Sequence, residues 1–233
     1  MSLPAGYRLV ELRRIDSTNA EALRRAADGA PHGTVVVAAD QTVGRGRRGR
    51  SWISAPGNLF MTVLVRPPEG SAVAQLSFVA AVALGDALPP GTDFRFKWPN
   101  DVLLVGRKLA GILIEADGGA AAVGIGVNTA STPEAVRGSA ADLACACDAP
   151  QLAGDVCGAF DLWYRRWLAE GFGPVREAWL RRAAGLGQEV ATGSARGRFA
   201  RLTEDGALVL VDASGAATEI AAGEVFFGRH RCC

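Results

Sequence analysis

The chain has 233 residues, 25 basic and 24 acidic, so its formal charge of +1 excludes a polyanion binder that works by overall charge. About half of the residues are apolar, enough for a sizeable core, yet no apolar run is long enough to span a membrane. Residues 1–9 lack the basic start, apolar stretch and small-residue cleavage site of a secretory signal, so a cytoplasmic setting is expected. Five unevenly placed cysteines give no disulfide framework, and the isolated His32 and His230 leave too few ligands for structural zinc.

In chain order, residues 7–13 alternate in part and predict an edge strand. Asp16, Ser17, Thr18 and Asn19 offer N-caps for a helix over 20–27, which Gly29 and Pro31 end. The apolar run 35–39 predicts a buried strand feeding a basic loop at 44–52, and 58–65 the next strand, closed by Pro67 and Pro68. Helical spacing of Val73, Leu76, Val79, Ala80, Ala83, Leu84 and Ala87 predicts a helix within 71–88, stopped by Pro89 and Pro90. Residues 94–98, 102–105, 109–116 and 122–128 read as short strands, with turns at Gly106-Arg107 and Asp117-Gly118-Gly119. Phe160, Trp163, Tyr164, Trp167 and Leu168 form a helical stripe assigned to the core, followed by a second helix to about Ala184.

After Gly185 the texture changes to short β-like runs at 188–191, 198–202, 207–211 and 218–220, with turns at Glu204-Asp205-Gly206 and Ser214-Gly215. The predicted architecture is an α+β domain over 1–184, a mixed, mainly antiparallel sheet with helices on one side, and then a small β-barrel over 185–233. The tail Arg229-His230-Arg231-Cys232-Cys233 is expected to be a frayed, exposed end.

Two segments carry candidate chemistry. In Gly44 to Trp52, the arginines Arg45, Arg47, Arg48 and Arg50 alternate with glycines. Glycine lets backbone N–H groups converge on an anion, and guanidinium forks match phosphate or carboxylate oxygens. The letters also fit G-x-G-x-x-G, but Ser51-Trp52-Ile53-Ser54-Ala55-Pro56 does not continue as a helix, which argues against dinucleotide binding. The second segment holds the only two lysines of the chain, Lys97 in Lys97-Trp98-Pro99-Asn100-Asp101 and Lys108 at the head of an apolar strand. An ammonium held by a strand can stabilise charge on a reacting carboxyl and phosphoryl group. Asp101, one hairpin away, is placed to pair with it or to help hold magnesium. Gly124-Ile125-Gly126-Val127-Asn128 leaves room for a flat ligand beside an amide, and Ser17-Thr18-Asn19 gathers short polar side chains before a helix.

Ser17-Thr18-Asn19, Gln41 with the loop 44–52, Lys97 to Asp101, Lys108 to Gly111 and Gly126-Val127-Asn128, in this order and spacing, resemble the biotin–protein ligases. The resemblance runs from about residue 7 through Gly223-Glu224-Val225. It implies a class II synthetase-like biotin/lipoate ligase catalytic fold with an Src-homology-3-like C-terminal barrel. It also implies a two-step reaction, in which biotin and ATP, with Mg2+, form biotinyl-adenylate, and a lysine of a biotin carboxyl carrier domain then takes the biotinyl group. By this resemblance Ser17, Thr18, Asn19 and Gln41 bind the ureido end of biotin. Arg45, Gly46 and Arg47 hold the carboxylate and adenylate linkage, with Lys108 at the reacting centre, Gly111 beside it and Asp101 in support. Arg47, Arg48, Arg50, Trp52, Lys97, Asn100 and Asn128 are implied for ATP and the adenylate.

The Ser-Thr-Asn segment begins at residue 17, which leaves no room for the DNA-binding domain of the repressor forms, so no DNA partner is expected. Monomer and homodimer both stay open, and no membrane partner is expected. The stretch Phe199-Ala200-Arg201-Leu202-Thr203 departs from the Ala-x-Gly-Ile-Asp-like pattern of relatives. Two alternatives compete. A lipoate or octanoate transferase would be expected to carry an Arg-Arg-x-Ser-Gly-Gly-like run with a histidine, which is missing. A nucleic-acid-binding protein using the Arg/Gly loop would leave the two lysines unexplained.

Overall fold

A computed structural model describes residues 1–227, so the expectation for the tail lies outside the described residues. The first half builds a seven-stranded sheet from β1 (Arg8–Leu12), β2 (Thr34–Ala38), β3 (Leu59–Val65), β4 (Phe94–Lys97), β5 (Asp101–Leu104), β6 (Arg107–Asp117) and β7 (Ala120–Val127). Their order is β1-β2-β3-β7-β6-β5-β4. Only β1 and β2 run parallel; every other neighbour is antiparallel, giving the mixed, mainly antiparallel sheet expected. All seven residues of β3 are buried, which is why this strand reads as an apolar run, interrupted only by Thr62, rather than an alternation.

The helices do not all lie on one side. Helix α2 (Leu76–Ala87), α3 (Ala149–Glu170) and α4 (Gly173–Leu180) share a core with Val35, Met61, Val63, Val123 and Ile125. Helix α1 (Thr18–Ala27) instead sets Ala22 against Val36 and Ala122, which point to the other face because strand side chains alternate. The contact residues there are small, so a short helix can sit close to the sheet while covering only part of that face. Within α3, Phe160, Tyr164 and Trp167 are buried as the stripe predicts, but Leu168 is 45% exposed.

The hairpin turns are decided by residues that accept positive φ. Gly118 and Gly119 (φ 54° and 76°) join β6 to β7, and Val105 and Gly106 (φ 48° and 75°) join β5 to β6. The second turn therefore sits one residue earlier than expected, and Arg107 already belongs to β6. The outer edge of β4 is covered by chain: Phe96 N–H donates to the Arg182 carbonyl at 2.8 Å, and Ala184 N–H donates to that of Phe96 at 2.7 Å.

Beyond this contact the chain changes sheets. Strands β8 (Glu189–Ala191), β9 (Arg196–Leu202), β10 (Leu208–Val211), β11 (Ala217–Ile220) and β12 (Phe226–Phe227) form an antiparallel sheet in the order β11-β10-β9-β8-β12. This is the small Src-homology-3-like domain expected, and its outer strands do not pair with each other among the described residues, so the barrel is not closed. The short strand β12 had no signal in the periodicity. The two sheets share one core, which holds Trp98 together with Val190, Phe199 and Val225. The Trp98 indole N–H donates to the Gly206 carbonyl at 3.0 Å, and Gln75 Nε2 to that of Glu204 at 3.0 Å. No helix of the described residues is long and apolar enough to cross a membrane.

Helix α2 is buried from Leu76 through Gly85, and Gly85 is where it meets β4. A Cβ there would lie 2.8 Å from the ring of Phe94 and 2.9 Å from that of Phe96. In an open helix Gly→Ala gains about 1 kcal/mol; here overpacking, worth about 1–3 kcal/mol, should win. We predict that Gly85→Ala lowers stability in chemical denaturation, and an increase would show that the α2–β4 contact has slack.

Candidate active site

Strand alternation places Gly111, Leu113 and Glu115 of β6, Gly124 and Gly126 of β7, and Phe60 and Thr62 of β3 on the face that α1 only partly covers. The loop 44–52 folds over the remainder, and between them lies a cavity of about 400 Å3. That is the size of a small-molecule site. The loop is closed at its base, where Trp52 N–H donates to the Gly44 carbonyl at 2.9 Å and Arg45 bridges Ser51, and a short 3-10 turn, Arg47–Gly49, forms its tip.

One end of the cavity is neutral and polar. Ser17 stands at the N-cap of α1 but makes no side-chain cap bond, and its buried side chain lines the cavity. Gln41 Oε1 accepts from Thr18 N–H at 2.9 Å and from its hydroxyl at 3.2 Å, leaving the Gln41 NH2 as the donor for a ligand. Thr62, a lone polar side chain in an apolar strand, donates to Asn19 Oδ1 at 2.7 Å. Asn19 Nδ2 donates to the Leu113 carbonyl at 3.2 Å and to Glu115 Oε2 at 2.9 Å. Gly124 makes room for this arrangement, since a Cβ there would strike the Asn19 amide. Asn19 is thus held by the protein, 3% exposed, with at most a carbonyl lone pair to offer.

The other end is cationic. Between Val102 and Leu103 the β5–β6 register shifts, a bulge of the kind that re-aims side chains next to sites. Backbone bonds to Ser139 and Ala141 pin Lys108 in place. Its Nζ lies 2.7 Å from Asp101 Oδ1 and 5.5 Å from the ring centre of Trp52. Trp52 lies against Gly111 and Gly126, where a Cβ would come within 2.9 Å and 2.8 Å of its ring, and its buried Nε1–H has no partner among the described residues. Lys97, 16% exposed at its side chain, pairs with Glu224 at 3.5 Å, and Arg50 meets the same carboxylate at 3.2 Å.

Arg47 differs from these. Among the described residues it donates only to neutral oxygens, Asn100 Oδ1 at 3.3 Å and the Gly223 carbonyl at 3.4 Å. Burial is the main reason its pKa is drawn below the ordinary guanidinium value. A half-buried cation that meets no carboxylate at salt-bridge distance among the described residues is suited to receive an anion.

The cavity gathers the residues singled out in the sequence, from Ser17, Thr18, Asn19 and Gln41 through Arg45, Gly46, Arg47, Arg50 and Trp52 to Lys97, Asn100, Asp101, Lys108, Gly111 and Asn128. Arg48 is outside it, exposed at the loop tip with a positive φ of 56°. The two asparagines implied for ATP and the adenylate are largely committed to the protein. Asn100 Nδ2 donates to the Ile112 carbonyl at 2.7 Å, and Asn128 Nδ2 donates to that of Ala141 at 3.0 Å. Sequence reading missed Thr62, Asn58, Glu115 and Glu224 as working parts. Asn58 holds the chain after β7, donating to the Ser131 carbonyl at 2.8 Å and accepting from Ala130 and Ser131 N–H. A Thr in a strand or an Asn before one carries no local signal; only the cross-strand partner reveals the role.

The entry to α1 is anchored by Asp16, which accepts from Ser17 N–H at 2.8 Å and from both terminal nitrogens of Arg24 at 2.9 and 2.7 Å. The Arg24 guanidinium is the main reason the Asp16 carboxyl is lowered to about 2. Because this lies below the unfolded value, the pair's support of the fold is present above the ordinary carboxylate range and lost as pH falls toward 2. In Arg24→Ala the Asp16 titration, followed by carbon-detected NMR, should move up toward about 3.9. No movement would remove Arg24 as the cause.

Comparison with known proteins bears on the same residues. The sequence pattern of the Biotin/lipoate A/B protein ligase family matches residues 11–129. The chain is 43% identical to biotin–[acetyl-CoA-carboxylase] ligase of Paracoccus denitrificans, over 93% of this chain and 99% of that protein. It is 32% identical to the bifunctional ligase/repressor BirA of Bacillus subtilis, over 83% of this chain and 65% of that protein. Among solved structures, the biotin protein ligase of Aquifex aeolicus in complex with biotin and ATP superposes with a TM-score of 0.83 at 29% identity, covering 96% of this chain and 99% of that one. The sequence pattern, a relative matched along nearly its whole length and the shared fold lead to one conclusion: the chain belongs to the biotin/lipoate A/B protein ligase family.

Proposed function

We propose that the chain is an ATP-dependent biotin–protein ligase that forms biotinyl-adenylate and passes the biotinyl group to a lysine of a biotin carboxyl carrier domain. The observation that carries this reading is the two-ended cavity. A neutral donor–acceptor end at Ser17, Thr18 and Gln41 suits a cyclic urea, and a cationic end at Arg47 and Lys108 suits a carboxylate meeting a phosphate. Support also comes from the relatives, a biotin–[acetyl-CoA-carboxylase] ligase and a ligase whose structure holds biotin and ATP.

In the first step a biotin carboxylate oxygen attacks the α-phosphorus of ATP, the bond to the leaving pyrophosphate breaks, and a mixed anhydride forms. Arg47 and Lys108 neutralise charge that grows on the carboxyl and phosphoryl oxygens, while Asp101 holds the Lys108 ammonium in place. Lys97 and Arg50 leave Glu224 for the phosphate chain, and Mg2+ arrives with ATP. Asn100 supports Arg47, and Asn128 supports the backbone of Lys108 through its carbonyl at 3.5 Å. The unpartnered Trp52 Nε1 is a donor for the adenylate, and the flat ring beside Gly126 walls it. In the second step the acceptor amine attacks the biotinyl carbonyl, AMP leaves with the bonding pair of the broken C–O bond, and the amine proton passes to solvent. The loop 44–52, as a cover, limits the loss of the anhydride to water. ATP as substrate and free Cys145, Cys147 and Cys157 favour a cytoplasmic setting.

The test is pyrophosphate release from MgATP with biotin, with lipoate as a control substrate, and transfer of biotin to a carrier domain. Lys108→Ala should lower the activation rate about 10^2- to 10^3-fold, the scale of losing one transition-state donor. Release with lipoate alone would move the chain to the lipoate side of its family, and release with neither would end the ligase reading.

A further inference from the structure

Glu115 links two residues of the cavity lining, Asn19 and Arg45, and the chemistry above does not use it. It lies on β6, on the α1 face, with its carboxylate divided between two distant segments. Oε2 accepts from Asn19 Nδ2 at 2.9 Å, and Oε1 pairs with Arg45 Nη1 at 3.2 Å. Neither partner has a substitute close by. Thr62 and the Leu113 carbonyl satisfy the rest of the Asn19 amide, and among the described residues Arg45 meets no other carboxylate within ion-pair distance. An acceptor-only group also selects the orientation of Asn19. Flipped, its carbonyl would face the Leu113 carbonyl and the Glu115 carboxylate, three acceptors together.

We propose that Glu115 is a positioning residue that ties the urea-binding end of the cavity to the arginine loop. One oxygen fixes the amide of Asn19 behind Thr18 and Gln41, and the other holds Arg45, at the base of the loop, in over the cavity. Order at the polar end and closure of the loop are thereby coupled through one side chain. Opening the loop frees the carboxylate that orients Asn19, and ordering the polar end holds the anchor that Arg45 needs. The role in biotin binding rests on the proposed function; the clasp on the loop does not.

Two variants separate the two oxygens. Glu115→Gln keeps a carbonyl acceptor for Asn19 and removes the charge that holds Arg45; Glu115→Ala removes both. The loop reports on itself, because its four arginines are trypsin sites. In the ligand-free protein at low salt, cleavage within residues 45–50 should be about two- to fivefold faster in both variants, the scale of an exposed ion pair. Molar salt should bring wild type up to the variants. Calorimetry with biotin alone should give a dissociation constant within about threefold of wild type for Glu115→Gln, and about tenfold weaker for Glu115→Ala, the scale of losing a charge-assisted bond. Equal cleavage of all three proteins at low salt would overturn the clasp, and equal biotin affinity of the two variants would overturn the division of roles. If wild type itself binds no biotin, the proposed function fails, and the cleavage comparison still decides whether Glu115 holds the loop.

Discussion

Five cationic side chains, Arg45, Arg47, Arg50, Lys97 and Lys108, line one cavity of about 400 Å3, and much of the surrounding structure answers their mutual repulsion. Two like charges 4 Å apart cost about 4 kcal/mol near a protein surface. Three carboxylates take up four of the cations: Asp101 with Lys108, Glu115 with Arg45, and Glu224 with both Arg50 and Lys97. Arg47 is left with neutral acceptors, and burial weakens its hold on its proton. An excess of two positive charges therefore remains, one at Arg47 and one shared by Arg50 and Lys97 around Glu224, in a site poised for an anion.

The carboxylates come from separate parts of the fold. Asp101 lies across the β5–β6 hairpin from Lys108, Glu115 lies further along β6, and Glu224 lies between β11 and β12 of the second sheet. The second sheet is thus joined to the cavity as well as to the core, with the Gly223 carbonyl on Arg47 and Glu224 on Lys97. Packing carries the same connection, since Trp98, immediately after Lys97, is buried in the same core as Val225 and bonded to Gly206.

The opposite requirement, space, is met by glycine. Gly111 and Gly126 let Trp52 lie on the sheet, and Gly124 lets Asn19 reach the Leu113 carbonyl. Because α2, α3 and α4 crowd the other face, the α1 face is left partly open, and a loop too polar to be core closes it.

Much of this was legible in the sequence. The strands, the order of helix and sheet, the polar triplet at Ser17, the arginine loop and the two-lysine hairpin are local patterns of period, turn chemistry and spacing, and family resemblance joined them into one site. The parts that escaped depend on partners far away in the chain. The face on which α1 packs is set by the small Val36 and Ala122 opposite it. The open second sheet follows from how β11 and β12 end it, and β12 itself is a two-residue strand with no period to read. Arg48 shares the composition of its neighbours, yet its positive φ at the loop tip takes it out of the cavity. Asn100 and Asn128 carry the chemistry to read a ligand, and backbone carbonyls brought near by folding occupy their amide hydrogens. The sequence by itself determined which groups the site contains. Tertiary structure decided which of them are already paired, because a hydrogen bond or ion pair depends on distances between segments that the order of residues does not state.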